Sequence, residues 1–219
     1  MITYEDIKKD PSIRAYITKA DESLNAMGYT EHSFPHVMKV ADSAAHLLSE
    51  LGYSEREQEL ARIAGYMHDI GNLVNRVDHS QSGAIFAFRL LDKMGMDAEE
   101  IATVVTAIGN HDEGTGVAVN AVAAALILAD KTDVRSSRVR NTDVSTYDIH
   151  DRVNASVTHS VLTVSEDKTR LTLTLTVDTE LSPVIDYFQI FMERMIMCRN
   201  AAQTIGLQFE LIINGQSLM

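Results

Sequence analysis

Apolar residues recur at helical spacing through the first two thirds of the chain. Ile13, Tyr16, Ile17, Ala20 and Leu24 form one stripe of a helix over 11–27, and Gly28 stops it. Ser33 stands at the N-cap position of a helix over 34–51, with Pro35 in its first turn and Gly52 at its end. Ser54 opens a third helix over 55–70, which Gly71 closes. Two more, over 80–94 and 97–110, are separated by Gly95. A helix over 120–134 is apolar on almost every face until Asp130, so it is expected to be buried. With no strand pattern between them, these segments predict an all-α bundle.

After about residue 150 the pattern changes. Residues 155–164 carry β-branched side chains at strand density. Leu171 to Val177 alternates with period two, the mark of a half-buried strand. The polar stretch 165–170 joins the two as a hairpin loop. Ser182-Pro183 caps a long helix reaching about Ile205, and Phe209, Leu211 and Ile213 alternate as a third strand. The reading is a mainly α protein in two parts: a helical domain over 1–150 and a small α+β (ββαβ) appendage over 151–219. The Thr-rich face of the appendage is free to meet solvent or a second subunit, so a homodimer through it is one expectation.

Charge and cysteine count narrow the function. The formal charge is −12, which argues against polymeric nucleic acid and anionic membranes as partners, though a local basic patch can still bind phosphate. A single cysteine, Cys198, excludes an internal disulfide and any multi-cysteine zinc site. Nothing approaches the eighteen or so apolar residues needed to span a bilayer, and the acidic start MITYEDIKKD is unlike a signal peptide. A cytoplasmic location is expected.

Six residues stand out, each inside or at the end of a helix and in apolar surroundings: His36, His68, Asp69, His79, His111 and Asp130. An unpaired buried carboxylate is costly, so Asp130 must be paired, protonated or bound to a metal. His68 and Asp69 are adjacent and would point about 100° apart on a helix. They can share one ion only at a helix end, where Gly71 lets the backbone turn.

Order and surroundings together resemble the HD superfamily of metal-dependent phosphohydrolases: Ser-Phe-Pro-His36, His68-Asp69-Ile-Gly, His79-Ser-Gln-Ser-Gly, Ile-Gly-Asn-His111 and Leu-Ala-Asp130-Lys131. The resemblance covers roughly residues 30–140, and the appendage lies outside it. It implies an HD-domain helical bundle with a metal at its centre, His36, His68, Asp69 and Asp130 being the basic ligands. The further histidines, His79 and His111, imply a binuclear site bridged by Asp69. Imidazole and carboxylate donors suit iron, manganese, zinc, cobalt or nickel better than calcium. Such ions lower the pKa of bound water towards 7, giving a hydroxide nucleophile at neutral pH. No Gly-rich phosphate loop and no Gly-x-Ser-x-Gly elbow offers another chemistry.

The implied activity is hydrolysis of a phosphomonoester or pyrophosphate bond in a small phosphorylated substrate, with a nucleotide the first candidate. Alternatives are a di-iron oxygenase of the same superfamily and a non-catalytic metal-binding regulatory module. Lys131 and Arg135, one helical step apart beside Asp130, are candidates for holding substrate phosphate, with Arg138 and Arg140 following; the plainer reading is a solvated helix end. Asp112 and Glu113, in a Gly-rich loop after His111, are candidates for proton relay or are exposed loop acids. Asn72 and Arg76 lie between the His-Asp pair and His79 and are pocket candidates; where Asn72 stands many relatives have Lys, so that lysine's role does not carry over. His32 reads as a rim residue, while His46, His150, His159 and Cys198 read as outside the site.

Overall fold

The computed structural model describes residues 1–218. The helices are α1 (Tyr4–Lys9), α2 (Pro11–Ala26), α3 (Phe34–Leu51), α4 (Glu55–Met67), α5 (His79–Met94), α6 (Ala98–Gly109), α7 (Ala121–Lys131), α8 (Ile149–Ser156) and α9 (Val184–Thr204). The strands are β1 (Val157–Val164), β2 (Arg170–Val177), β3 (Gln208–Ile213) and β4 (Gln216–Ser217). The mainly α bundle with a small C-terminal α+β appendage is thus the observed architecture. The appendage is ββαββ rather than ββαβ, because the chain turns at Asn214-Gly215 and adds the two-residue β4. The α1 and α8 helices are too short for periodicity to show. Their caps mark them instead: Thr3 and Asp6 form a capping box, and the Asp148 side chain accepts from the Asp151 N–H.

The α7 helix explains the architecture. Val122 to Ala129 are all buried, because α3, α4, α6 and α9 pack around it. Three of those neighbours belong to the helical part and the fourth to the appendage. Tyr187, Phe191, Met195 and Cys198 on α9 are buried in the same core as α7. At about 1.5–3 kcal/mol for each large apolar side chain, this contact is a main support of both segments. The sheet runs β1-β2-β3-β4, with β1 antiparallel to β2 and β2 parallel to β3 through the α9 crossover. Its inner face is Leu171, Leu173, Leu175, Phe209, Leu211 and Ile213. On the other face Thr172 donates to Glu210.

Two glycines set the approach of the elements that carry His36, His68 and His79. A Cβ on Gly65 would lie 2.7 Å from the Ala41 Cα, so α4 touches the backbone of α3 there. A Cβ on Gly71 would lie 1.9 Å from the His79 carbonyl oxygen and 2.5 Å from the Gly83 nitrogen, so the turn after α4 rests directly on the start of α5. Gly71→Ala must push the two apart. We expect a loss of about 2–3 kcal/mol and a fall in Tm of about 5–10 °C, measured by thermal unfolding. An unchanged Tm would contradict this packing. No helix among the described residues is long and apolar enough to cross a membrane.

Candidate metal centre

The turn after α4 is the hinge of the site. The helix ends at Met67, Asp69 leaves helical geometry at φ −91° and ψ 2°, and a 3-10 turn over Ile70–Leu73 follows. That departure lets two neighbours face one point. His36 comes from the first turn of α3, His79 opens α5, His111 follows α6, and Asp130 lies near the end of α7. The four histidines and Asp69 are buried, and the Asp130 side chain is nearly so.

The distances show convergence. His36 Nε2 lies 3.4 Å from Asp130 Oδ1 and 3.7 Å from Asp69 Oδ2. His68 Nε2 lies 3.1 Å from Asp69 Oδ2 and 3.6 Å from Asp130 Oδ1. On the other side, Asp69 Oδ1 is 3.5 Å from His79 Nε2 and 4.0 Å from His111 Nε2. Two groups have all their ligand atoms within 4.8 Å of one another: His36, His68 and Asp130; and His68, Asp69 and His111. His79 stands beside the second group, its Nε2 3.1 Å from His111 Nε2 and 3.2 Å from Arg76 Nη1.

The outer nitrogens fix which way the rings face. His68, His79 and His111 direct Nδ1 to the carbonyls of Gly65 (2.8 Å), Arg76 (3.1 Å) and Ile108 (2.6 Å). His36 directs Nδ1 to Asp133 Oδ2 at 2.8 Å. Carbonyls and carboxylates only accept, so Nδ1 carries the proton and each Nε2 turns a lone pair inward. His36 Nε2, His68 Nε2 and Asp69 Oδ2 are buried without a hydrogen-bond partner. Three such atoms facing one another would cost about 1–3 kcal/mol each; a shared divalent cation satisfies them together. The electrostatics agree. Burial works to lower His68, but Asp69 and Asp130 override it and push it up to about 10, so the pocket favours positive charge at Nε2, where a bound cation would take the place of a proton. The residues present therefore fit a divalent-metal centre.

The surrounding side chains orient the ligands. Asn72 donates to the Asp69 carbonyl and to Asp69 Oδ1, both at 2.9 Å. Lys131 Nζ sits 2.8 Å from Asp130 Oδ2, which leaves Oδ1 facing the imidazoles. Lys131 is buried and also reaches Glu113 Oε2 at 3.3 Å; Arg194 Nε, from α9, holds Glu113 Oε1 at 2.8 Å. Burial works to raise Glu113, but Lys131 and Arg194 hold it well below the usual carboxylate range. Asp112 lies in the same loop and acts on His79 through its charge. Arg135 turns to Asp133 Oδ1 at 2.9 Å and to Ser137, on the outer side of His36.

Two functional side chains, Asp133 and Arg194, escape the sequence reading, and a third, Arg138, is buried where the reading has a basic cluster. Asp133 is buried between His36, Lys39 and Arg135, three positions after Asp130. Its place one turn past a ligand was its only signal. Arg138 belongs to the noted basic cluster but is buried, donating to the carbonyls of Glu31 and Asp133. Arg194 carried no signal at all. His46 and His159 are exposed and away from the centre, and burial pushes the Cys198 thiol up to about 12, consistent with a packing role.

The sequence profile of the HD domain matches residues 34–144, half of the chain and the whole span from His36 to Asp130. The chain belongs to the HD domain family. An uncharacterized protein of Methanocaldococcus jannaschii is 24% identical over 188 residues, covering 75% of this chain and 72% of its own. A crystal structure described as a predicted HD superfamily hydrolase from an uncultured Thermotogales bacterium overlays with a TM-score of 0.42 at 26% identity, over 60% of this chain and 73% of that one. The HD match ends before α8, β1 and α9, so Arg194 and the appendage lie outside it.

Proposed function

We propose that this HD-domain protein is a metal-dependent phosphohydrolase acting on a small phosphorylated substrate. The observation that carries the reading is the convergence of inward-facing Nε2 atoms and two buried carboxylates on one point. His36, His68, Asp69 and Asp130 would hold one ion; Asp69, His79 and His111 would hold a second. Bound divalent ions supply a water of lowered pKa and offset phosphoryl charge.

The chain's own groups do the rest. Asn72 and Lys131 each take one face of a ligand carboxylate and so fix its orientation. Glu113, locked as a carboxylate between Lys131 and Arg194, stays ionised and braces the loop. Among the described residues no hydrogen bond reaches the Asp112 carboxylate, so of the two loop acids it is the one free to act as a relay, and we assign it the step of taking a proton from the attacking water and passing it to the leaving oxygen. Lys131 and Arg135 were candidates for holding phosphate; in this reading Lys131 positions Asp130 and Arg135 steadies Asp133.

A panel of nucleotides, other phosphomonoesters and pyrophosphates tests the proposal, with metal content measured in parallel. The expected result is hydrolysis by protein loaded with manganese, iron, zinc, cobalt or nickel, its loss after chelation, and its return on reloading. At free metal a hundredfold above Kd, loading also adds about 2.7 kcal/mol of stability. No hydrolysis by loaded protein, or oxygen consumption with substrate in its place, would overturn the reading.

A further inference from the structure

A cavity of about 390 Å³ lies against the metal centre. Its lining includes Arg76, whose Nη1 is 3.9 Å from Asp69 Oδ1, so the cavity and the centre share a wall. The volume is at the small end of ligand pockets. Two further guanidiniums line it, Arg138 from the helical part and Arg194 from α9. In a chain of net charge −12, three arginines around one cavity beside a metal centre form a local field for an anion.

The arginines are held so that part of each fork remains free. Arg194 stacks on Phe191 at 4.4 Å and donates through Nε to Glu113. Among the described residues neither of its Nη atoms has a hydrogen-bond partner. Arg138 uses Nε and Nη1 on backbone carbonyls and keeps Nη2. Fixed, partly unpaired guanidinium forks match the geometry of phosphoryl oxygens. The start of α8 adds acids of the opposite character, Asp148 and Asp151. They accept hydrogen bonds and repel a second anion.

We propose that this cavity is the substrate subsite of the phosphohydrolase reading, on which the inference rests. It selects a phosphomonoester with an uncharged, hydroxyl-bearing remainder. Arg194 and Arg138 hold the phosphoryl oxygens, Arg76 faces the same group from the wall shared with the metal centre, and Asp148 and Asp151 accept from the hydroxyls. The appendage thereby supplies a binding residue that the HD-matched segment lacks.

Titration calorimetry on metal-loaded protein tests it, with inorganic phosphate, adenosine 5′-monophosphate, glucose 6-phosphate and glucose 1,6-bisphosphate as probes. Arg194→Gln is expected to weaken the better-bound monoester at least tenfold and to raise KM by a similar factor where it is turned over. Arg194→Lys should recover part of the loss. Asp151→Asn keeps an acceptor oxygen and removes the charge, so the ratio of bisphosphate to monoester affinity should rise severalfold. Both monoesters fit the proposal, and the tighter one tells a nucleoside remainder from a sugar.

Unchanged affinity in a folded Arg194→Gln variant overturns the proposal, as does wild-type protein that binds none of the probes. If Arg194→Gln fails to fold, Arg76→Gln carries the same expectation and the same refutation. Arg194-dependent binding without turnover removes only the hydrolase reading. Turnover that ignores Arg194 removes only this inference.

Discussion

Asp69→Ala is expected to abolish hydrolysis and to lower the metal content of the purified protein. The reason is geometric. Asp69 presents Oδ2 to His36 and His68 and Oδ1 to His79 and His111, and so joins the two halves of the centre. Removing it deprives both halves of their common negative charge. We expect kcat/KM to fall by at least three orders of magnitude, about 4 kcal/mol of barrier. His79→Ala should be milder, because His79 faces only one half of the centre, beside Asp69 Oδ1 and His111. Elemental analysis of both variants beside their kinetics checks this. An Asp69→Ala protein that keeps its full metal complement would contradict the bridging position.

How much of this was legible in the sequence depends on which interactions are local. The α3, α5 and α6 helices announce themselves by periodicity and by caps within a few residues of their ends, and their observed bounds fall within a residue or two of expectation. The α4 helix ends early, at Met67, because the His-Asp pair needs a non-helical turn that periodicity does not show. His36, His68, Asp69, His111 and Asp130 could be singled out because each is polar in an apolar setting. What the sequence hides is long-range partnership. Arg194 is separated from Glu113 by 81 positions, and no spacing rule links them. The appendage reads as separate because its pattern differs, yet α9 buries one side of α7. A helix apolar on every face, as α7 is, requires a neighbour on every side, and that was the clue to α9.

Asp133→Ala should be the most destabilising change at the centre. The carboxylate is fully buried, accepts from His36 Nδ1 and pairs with Lys39 Nζ at 2.8 Å and Arg135 Nε at 2.9 Å. Burial works to raise it, but His36, Arg138 and Lys39 hold it far below the usual carboxylate range. Its removal leaves His36 Nδ1 without an acceptor and takes away the carboxylate 3.8 Å from the buried Arg138. Breaking a buried pair from one side costs about 3–5 kcal/mol. A second effect acts on function. The Asp133 contact fixes the His36 tautomer, and losing such a partner lowers metal affinity about 10–100-fold. Asp133→Asn separates the two. Its amide oxygen still accepts from His36 Nδ1, while the charge that Lys39, Arg135 and Arg138 require is gone. Asp133→Asn should therefore lose stability yet keep more of its metal affinity than Asp133→Ala. Denaturant unfolding and metal titration measure the two quantities. Equal metal affinities in the two variants would show that charge, not the orientation of His36, is what Asp133 provides.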